Sequence, residues 1–150
     1  MAGLYYEEFK VGMEFRHPIT RTVTEMDNVL FCAMTHNPQP LHLDEEFSKK
    51  TEFGQRLVNS LFTLGLVIGV TVADTTLGTT LGNLGMTDIR FKNPVFHGDT
   101  VHVVTRIKDM RESKSRPNDG IVTFEHIGYN QKDKEVCYVV RTALMRKRPA

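Results

Sequence analysis

The sequence predicts a single α+β domain over residues 1–150, in which a curved antiparallel sheet wraps around a long central helix. Segment 60–72 is apolar on every side, and its length is that of a helix rather than a strand. Three later runs alternate apolar and polar residues, and polar turns separate them. An apolar helix combined with several antiparallel strands is typical of a sheet layer packed on a helix layer.

Two short helices are predicted before the central one. Thr24, followed three residues later by Asp27, has the form of a helix start. Apolar residues then follow at helical spacing: Met26, Val29, Leu30 and Ala33. A second short helix is predicted over 44–50, because acids in its first turn and lysines in its last turn suit the helix dipole. In the central helix, Gly65 and Gly69 leave a smooth face on which a sheet could pack closely.

Strands are predicted from residue 79 onward. Residues 101–107 alternate apolar and polar side chains, and comparable runs cover 121–129 and 136–145, with a polar turn at 130–134. Residues 117–120 mark a further break before the second run. Such a sheet has edges to protect, and pairing them across a dimer is a common solution.

The composition excludes several classes of function. The formal net charge is +1, from 19 basic and 18 acidic residues, which gives no electrostatic reason to expect nucleic acid as a partner. Segment 57–73 is shorter than the about 20 apolar residues that a bilayer span needs, and we expect no membrane partner and a cytoplasmic location. Cys32 and Cys137 suggest buried reduced thiols, and the scattered histidines predict no metal site.

The segment Thr35-His36-Asn37-Pro38-Gln39-Pro40-Leu41-His42 lies between the two predicted N-terminal helices. Two prolines within three residues predict a stiff, defined loop there. Rigid loops held by packed helices are good positions for catalytic groups. A polar loop with a capping histidine is the alternative that the residues themselves leave open.

This segment resembles the motif of the MaoC-like dehydratases, which reads Ser-Gly-Asp-x-Asn-Pro-Leu-His followed by x-Asp. Thr35, His36, Asn37 and Gln39 fall on its serine, glycine, aspartate and asparagine, whereas 40–42 match outright. Further similarity covers 6–12, 21–25, 53–54 and 91–100. Segments 39–44, 52–65 and 111–117 look like one subgroup, the mesaconyl-CoA hydratases, also called β-methylmalyl-CoA dehydratases.

The resemblance implies a hot-dog fold, a homodimer or higher homo-oligomer, and an acyl-CoA thioester as substrate. It implies the reversible addition of water across the 2,3 double bond of an enoyl-CoA, without a metal ion or a cofactor. His42 and Asn37 then stand at the positions that bind and activate the water. The Ser60 backbone N–H, at the start of the central helix, is the expected donor to the thioester oxygen. Asn59 and Gln39 are expected to bind substrate.

Asn37 departs from the family motif, because a carboxamide cannot take a proton near neutral pH. His42 could be the single acid and base while Asn37 holds the water. Alternatively, Asp44 or His36 supplies the missing base, although Asp44 could also be a helix N-cap. In a third interpretation hydration is lost, which leaves a thioesterase or a non-catalytic acyl-CoA-binding protein of the same fold.

A branched dicarboxylic substrate such as mesaconyl-CoA would need a cation near the acyl pocket. Arg56 and Arg90 are the candidates, and a salt bridge is the alternative for each. The basic cluster 114–116 could meet the phosphates of CoA or form a solvated hairpin turn.

Overall fold

The sheet of the computed structural model, which describes residues 3–149, contains six strands. They are β1 (Glu14–Arg16), β2 (Arg21–Thr22), β3 (Thr80–Arg90), β4 (Thr100–Glu112), β5 (Asp119–Tyr129) and β6 (Glu135–Arg146). The order is β1-β4-β5-β6-β3, β2 also pairs with β4, and every pairing is antiparallel. The predicted strand runs are confirmed. The two short N-terminal strands were not predicted, because so few residues show no alternation.

The helices are α1 (Glu25–Met34), α2 (Pro40–Leu43), α3 (Glu45–Ser48) and α4 (Ser60–Thr75), after a 3-10 turn at Tyr6–Glu8. The expected stiff loop from Thr35 to His42 is wrong in its second half, where α2 begins at Pro40. Proline is well suited to the first helical position, since its missing N–H has no partner there in any case. Within residues 3–149, no helix is long and apolar enough to cross a membrane.

Helix α1 begins with the predicted cap: the Thr24 hydroxyl accepts from the Asp27 N–H, and the Asp27 carboxylate accepts from the Thr24 N–H. Its buried face, however, is not the one that carries the apolar residues at helical spacing. Asn28 and Cys32 are the buried residues, whereas Met26 is 74% exposed. The face that holds α1 in the fold is therefore a polar one.

Helix α4 packs against β4, β5 and β6 through one face, which includes Thr63 and Val67. The expectation that the sheet packs on Gly65 and Gly69 is wrong, because both glycines lie on the opposite, exposed face. The close approach occurs instead at Gly128 of β5, where an added Cβ would lie 2.4 Å from a methyl carbon of Val67. The sheet thus comes close to α4 because the strand, and not the helix, lacks a side chain there.

Two apolar clusters fill the space beneath the sheet. One contains Val67 and Val101, and the other contains Ile107 and Phe124. On each of β4 and β5 a buried polar residue lies between the clusters, and β6 adds a third: Thr105, His126 and Arg141. A polar layer therefore crosses the middle of the core.

This layer belongs to a hydrogen-bonded chain, which we call the sheet relay: Arg141, His126, Thr105, His17 and Asp74. Arg141 Nε donates to His126 Nε2 at 3.1 Å, and an arginine Nε can only donate. His126 therefore carries its proton on Nδ1 and donates to the Thr105 hydroxyl at 2.8 Å. The hydroxyl also lies 2.8 Å from His17 Nε2, and His17 Nδ1 donates to the Asp74 carboxylate at 2.9 Å. The relay connects a buried guanidinium to a carboxylate near the end of α4.

Candidate active site

The start of α4, helix α2 and the middle of α1 meet at the side chain of Asn28, which is 0% exposed. Its amide nitrogen lies 3.2 Å from the carbonyl oxygens of both His42 and Leu57. Its oxygen accepts from the Asn59 backbone N–H at 2.9 Å. The sequence interpretation did not single out this residue, although it joins two of the predicted site segments.

His97, which precedes β4, is the second residue that the sequence interpretation missed. Its Nε2 lies 3.0 Å from the amide nitrogen of Asn28. Burial and the nearby Arg56 guanidinium lower the pKa of His97 below its ordinary value, which favours the neutral ring. A neutral ring with its proton on Nδ1 can accept from Asn28.

His42 is held in one tautomer by the protein backbone. It is 9% exposed, and its Nδ1 donates to the carbonyl oxygen of Leu57 at 2.7 Å. Because a carbonyl only accepts, Nδ1 carries a proton, and the neutral form of the ring has its lone pair on Nε2. Among residues 3–149, Nε2 has no hydrogen-bond partner and is not one of the unpaired atoms sealed from solvent. His42 therefore has an open basic nitrogen.

Helix α4 starts three residues after Leu57, whose carbonyl holds the His42 ring. The side-chain oxygen of Asn59 caps the helix by accepting from the Leu61 N–H at 2.9 Å, and its nitrogen lies 3.8 Å from Cys32 Sγ. The Asn59 amide thus makes its contacts inside the protein. For the Ser60 backbone N–H, no hydrogen bond to any residue in 3–149 is found. This N–H lies at the positive end of a helix of 16 residues, where it can stabilise negative charge.

Ser60 opens onto a cleft of about 280 Å³. The lining is mostly apolar and combines the segment before α4 with the segment after β3: Phe53, Leu57, Val58, Ser60, Thr63, Phe91, Lys92, Asn93, Pro94 and Val95. A cleft of this character, with a free N–H at its wall, can take an acyl chain whose carbonyl points toward the helix.

Asn37 lines a different cleft, of about 400 Å³, together with His36 and Cys32. Its side-chain oxygen accepts from the Gln39 N–H at 3.1 Å, so the two predicted site residues form a local turn. The structure therefore joins His42 and Asn59 through Asn28, directly before Ser60. Gln39 contacts His42 through the backbone, because its carbonyl accepts the His42 N–H at 3.0 Å. Cys32 lies between the cleft of Asn37 and the start of α4, because its sulfur contacts Asn59.

Arg56 is paired within the chain. Its guanidinium contacts Glu25 at 2.7 Å and Glu45 at 2.9 Å, and its side chain is 16% exposed. The hydrogen bond to Glu25 is the main reason why the pKa of Arg56 lies above its ordinary value. Two carboxylates thus balance its charge, and its contact with a substrate carboxylate stays a prediction.

Two other predicted residues have different surroundings. The guanidinium of Arg90 lies 4.1 Å from the centre of the Tyr138 ring, a cation–π contact. Asp44 accepts from the Phe47 N–H at 2.9 Å and is the N-cap of α3. The capping interpretation of Asp44 is therefore confirmed.

The basic cluster 114–116 lies in the turn between β4 and β5, where Arg116 pairs with Asp119 at 2.6 Å. Arg116 shares a cleft with Gly78, which follows the end of α4. This turn and Ser60 therefore lie at opposite ends of α4, which is about 24 Å long at 1.5 Å per residue. A contact of the cluster with CoA phosphates stays a prediction.

Comparisons with known proteins agree on one family. The model of a family described as "MaoC like domain" matches residues 8–130. A mesaconyl-CoA hydratase from Cereibacter sphaeroides is 31% identical over 98% of this chain and 42% of its own length. The chain spans about two fifths of the length of the curated relatives with which nearly all of it aligns.

Solved structures show the same architecture. A monoamine oxidase regulatory protein from Archaeoglobus fulgidus superposes with a TM-score of 0.86 at 30% identity, covering 99% of this chain and 98% of its own. A conserved hypothetical protein from Mycobacterium tuberculosis, described as a double hotdog fold, superposes with a TM-score of 0.88 at 20% identity, covering 98% of this chain and 45% of its own. The predicted hot-dog fold is confirmed.

Proposed function

Because the chain belongs to the family of MaoC-like domains, we propose that it adds water to, and removes it from, the 2,3 double bond of an enoyl-CoA. The relative from Cereibacter sphaeroides is named for the same type of reaction. The observation that carries the proposal is the open Nε2 of His42, in a ring fixed by the Leu57 carbonyl three residues before the free N–H of Ser60. Leu57, which fixes the ring, precedes Ser60 by at most about 10 Å of chain.

His42 is the proposed acid and base. Its Nε2 removes a proton from a water molecule while the water oxygen forms a bond to C3 of the enoyl group. The π electrons of the 2,3 double bond move toward the thioester carbonyl and give an enolate. The proton on His42 then passes to C2, which completes the hydroxyacyl product and restores the neutral ring.

The backbone N–H of Ser60 is the proposed donor to the enolate oxygen. Negative charge develops on this oxygen only as water adds, so a fixed donor at the positive end of α4 stabilises the transition state more than the substrate. These steps use a side chain, a water molecule and a backbone group. We therefore propose that activity requires no metal ion and no cofactor besides the CoA of the substrate.

Asn37 has the secondary role in this proposal. An amide can orient a water by hydrogen bonds but cannot take its proton, so His42 acts alone as the base. Asp44 does not replace the missing carboxylate, because capping α3 occupies it. His36 is exposed and is not required by this scheme.

For the substrate we propose a branched or dicarboxylic enoyl-CoA such as mesaconyl-CoA, in line with the name of the relative that aligns over nearly the whole chain. Arg56 is a poor candidate for the distal carboxylate, because Glu25 and Glu45 balance its charge. Arg90 remains as the proposed cation.

We also propose that the chain acts as a homodimer or a higher homo-oligomer. Strand β3 is a sheet edge, and it carries exposed large apolar residues, among them Leu84 and Ile89. On the helical side, Leu61 is 60% exposed. Apolar residues on a free edge and on a helix face are typical of a surface that a second copy covers. Light scattering should give at least twice the mass of the chain.

A panel of enoyl-CoAs, with straight, branched and dicarboxylic acyl groups, tests the proposed reaction. We expect loss of enoyl absorbance with the thioester intact and formation of a hydroxyacyl-CoA, most rapidly for a branched or dicarboxylic member. Release of free thiol without a hydroxyacyl product would instead identify a thioesterase. Binding of the panel without turnover would identify an acyl-CoA-binding protein.

A further inference from the structure

The amide of Asn28 has a fixed orientation. Its oxygen faces the Asn59 N–H, which can only donate, and its nitrogen faces the carbonyls of His42 and Leu57, which can only accept. Reversing the amide would place donor against donor and acceptor against acceptor. The three backbone groups therefore determine which end of the amide faces each segment.

The carbonyl of Leu57 accepts from two side chains at once. Asn28 donates to it at 3.2 Å, and His42 Nδ1 donates to it at 2.7 Å. Asn28 also donates to the carbonyl of His42 itself. Asn28 thus holds both the residue that carries the ring and the acceptor that fixes the tautomer of the ring.

The other end of the same amide holds the start of α4. Its oxygen accepts the N–H of Asn59, and Asn59 is the N-cap that directly precedes Ser60. One buried side chain therefore contacts both halves of the proposed site: the segment that orients the base and the segment that presents the oxyanion donor.

We propose that Asn28 is a positioning residue, which sets the placement of His42 Nε2 relative to the Ser60 N–H without touching the substrate. This inference rests on the proposed hydration, because it assigns the residue to that reaction. A misplacement of about 1 Å can cost about 100-fold in rate, so loss of the Asn28 hydrogen bonds should lower kcat.

The hydrogen bond between Asn28 and His97 makes the positioning by Asn28 sensitive to pH. The two hydrogens of the Asn28 amide are offered to three acceptors, of which His97 Nε2 is the only one that can be protonated. The charged groups that influence His97 are Arg56, Glu25 and Glu45. Protonation of His97 would turn its Nε2 into a donor that faces the NH₂ group, and the contact would be lost.

Asn28→Ser tests the proposal in the full chain. The shorter side chain cannot reach both carbonyls, so we expect kcat for hydration to fall about 100-fold while KM changes less than about threefold. Asn130→Ala is the matched control. Asn130 is also buried, and its side chain also holds backbone N–H groups, but in the turn between β5 and β6. The control should lower the melting temperature and leave kcat within about twofold.

Asn28→Asp tests the same contact through the pKa of His97, which the substitution should raise. A carboxylate beside His97 favours the charged ring, so the pKa of His97, followed by the NMR shift of its ring proton, should rise instead of lying below its ordinary value. The proposal is overturned if Asn28→Ser loses no more kcat than Asn130→Ala. A rise in KM at unchanged kcat would overturn it as well.

The wild-type protein gives a readout that needs neither a variant nor turnover. If Asn28 couples the two rings, the NMR signals of the His42 ring should show an inflection at the pH where His97 titrates. A titration of His97 without any response of His42 would overturn the positioning role, even if both Asn28 variants failed to fold. Conversely, a coupled response in a protein that hydrates no enoyl-CoA would refute the proposed function and leave the coupling intact.

Discussion

The polar cluster around Asn28 and the sheet relay differ in whether a histidine nitrogen remains free. Both nitrogens of His17 and both nitrogens of His126 are hydrogen-bonded within the relay. His42 uses only Nδ1, and its Nε2 is open. In the relay, protein groups occupy both nitrogens of each ring, so neither nitrogen is open to a water or a substrate, whereas the open nitrogen of His42 can exchange a proton with one.

Burial sharpens this difference. Burial, together with the charge of Arg141, lowers the pKa of His126 well below its ordinary value, so the ring stays neutral. Burial also lowers the pKa of Arg141 to about 10, and the guanidinium is still charged at neutral pH. The relay therefore buries one positive charge, and three hydrogen-bonding side chains connect it to the carboxylate of Asp74. Disturbing the relay should affect stability, and disturbing the Asn28 cluster should affect turnover.

The largest effect on stability is expected for His126→Leu. The substitution removes one hydrogen-bond partner from the buried Arg141 Nε and one from the buried Thr105 hydroxyl, so the free energy of unfolding should fall by about 3–5 kcal/mol. Urea denaturation measures this change. His102→Leu is the control, because His102 is half-buried and its contact with Asp133 is at the surface; it should cost less than about 1 kcal/mol. If His126→Leu lowered the hydration rate per folded molecule, the sheet relay would also affect turnover, and the two clusters would not differ in function.

Acidification should destabilise the wild-type protein through the same ring. The pKa of His126 in the folded state lies below its unfolded value of about 6.5, so below that pH the unfolded chain binds more protons. Its contribution to stability is therefore complete above about pH 6.5 and is lost as the pH falls toward the folded pKa. Urea midpoints should change little from about pH 7.5 to pH 6.5 and fall from there to about pH 5, and this fall should be smaller in His126→Leu. An unchanged fall in the variant would show that other groups cause it.

A smaller effect is expected for Asp44, which lies close to His42 in sequence but caps α3. Asp44→Ala should cost about 1 kcal/mol of stability, because the Phe47 N–H loses its acceptor. Asp44→Asn retains a cap and should lose little. Neither variant should alter kcat at equal folded concentration. A large loss of kcat in Asp44→Asn would show that Asp44 takes part in the reaction.

The smallest effect is expected for His36, which has a φ of 54°, in the left-handed region. The family motif has glycine at this position, and glycine adopts this region without steric cost. His36→Gly should therefore raise stability, by less than about 1 kcal/mol, since the flexibility of glycine offsets part of the gain. His36→Ala keeps the Cβ and should give no gain. An increase with alanine would show that the backbone strain is not the cause.

The sequence predicts the long elements well, because their periodicity is expressed over many residues. The alternation over 101–107 and the cap at Thr24 correspond to β4 and α1. The predicted strands at 121–129 and 136–145 also correspond to β5 and β6. The short strands β1 and β2 depend on pairing with β4, which lies far away along the chain, and no local pattern indicates them.

The site is predicted less completely, for a physical reason. The role of Asn28 depends on partners from separate segments, so its burial could not be read from α1 alone. The one available signal is its spacing of four residues from Cys32, which places both on one helix face. The exposed position of Gly65 could not be predicted for the same reason. Helix α4 is apolar on every side, and its contacts with the strands determine which side is buried. The ion pairs of Arg56 also join segments that the sequence shows only separately.

The most direct test of the account is the initial rate of water addition by the wild-type protein and by His42→Ala, on the preferred enoyl-CoA and at equal folded concentration. Loss of the open Nε2 should reduce the rate about 100-fold to 10,000-fold, the usual contribution of a positioned acid and base. Urea denaturation should show that the variant is folded under the assay conditions. A His42→Ala protein that kept the full hydration rate would contradict the central claim that this ring transfers the proton.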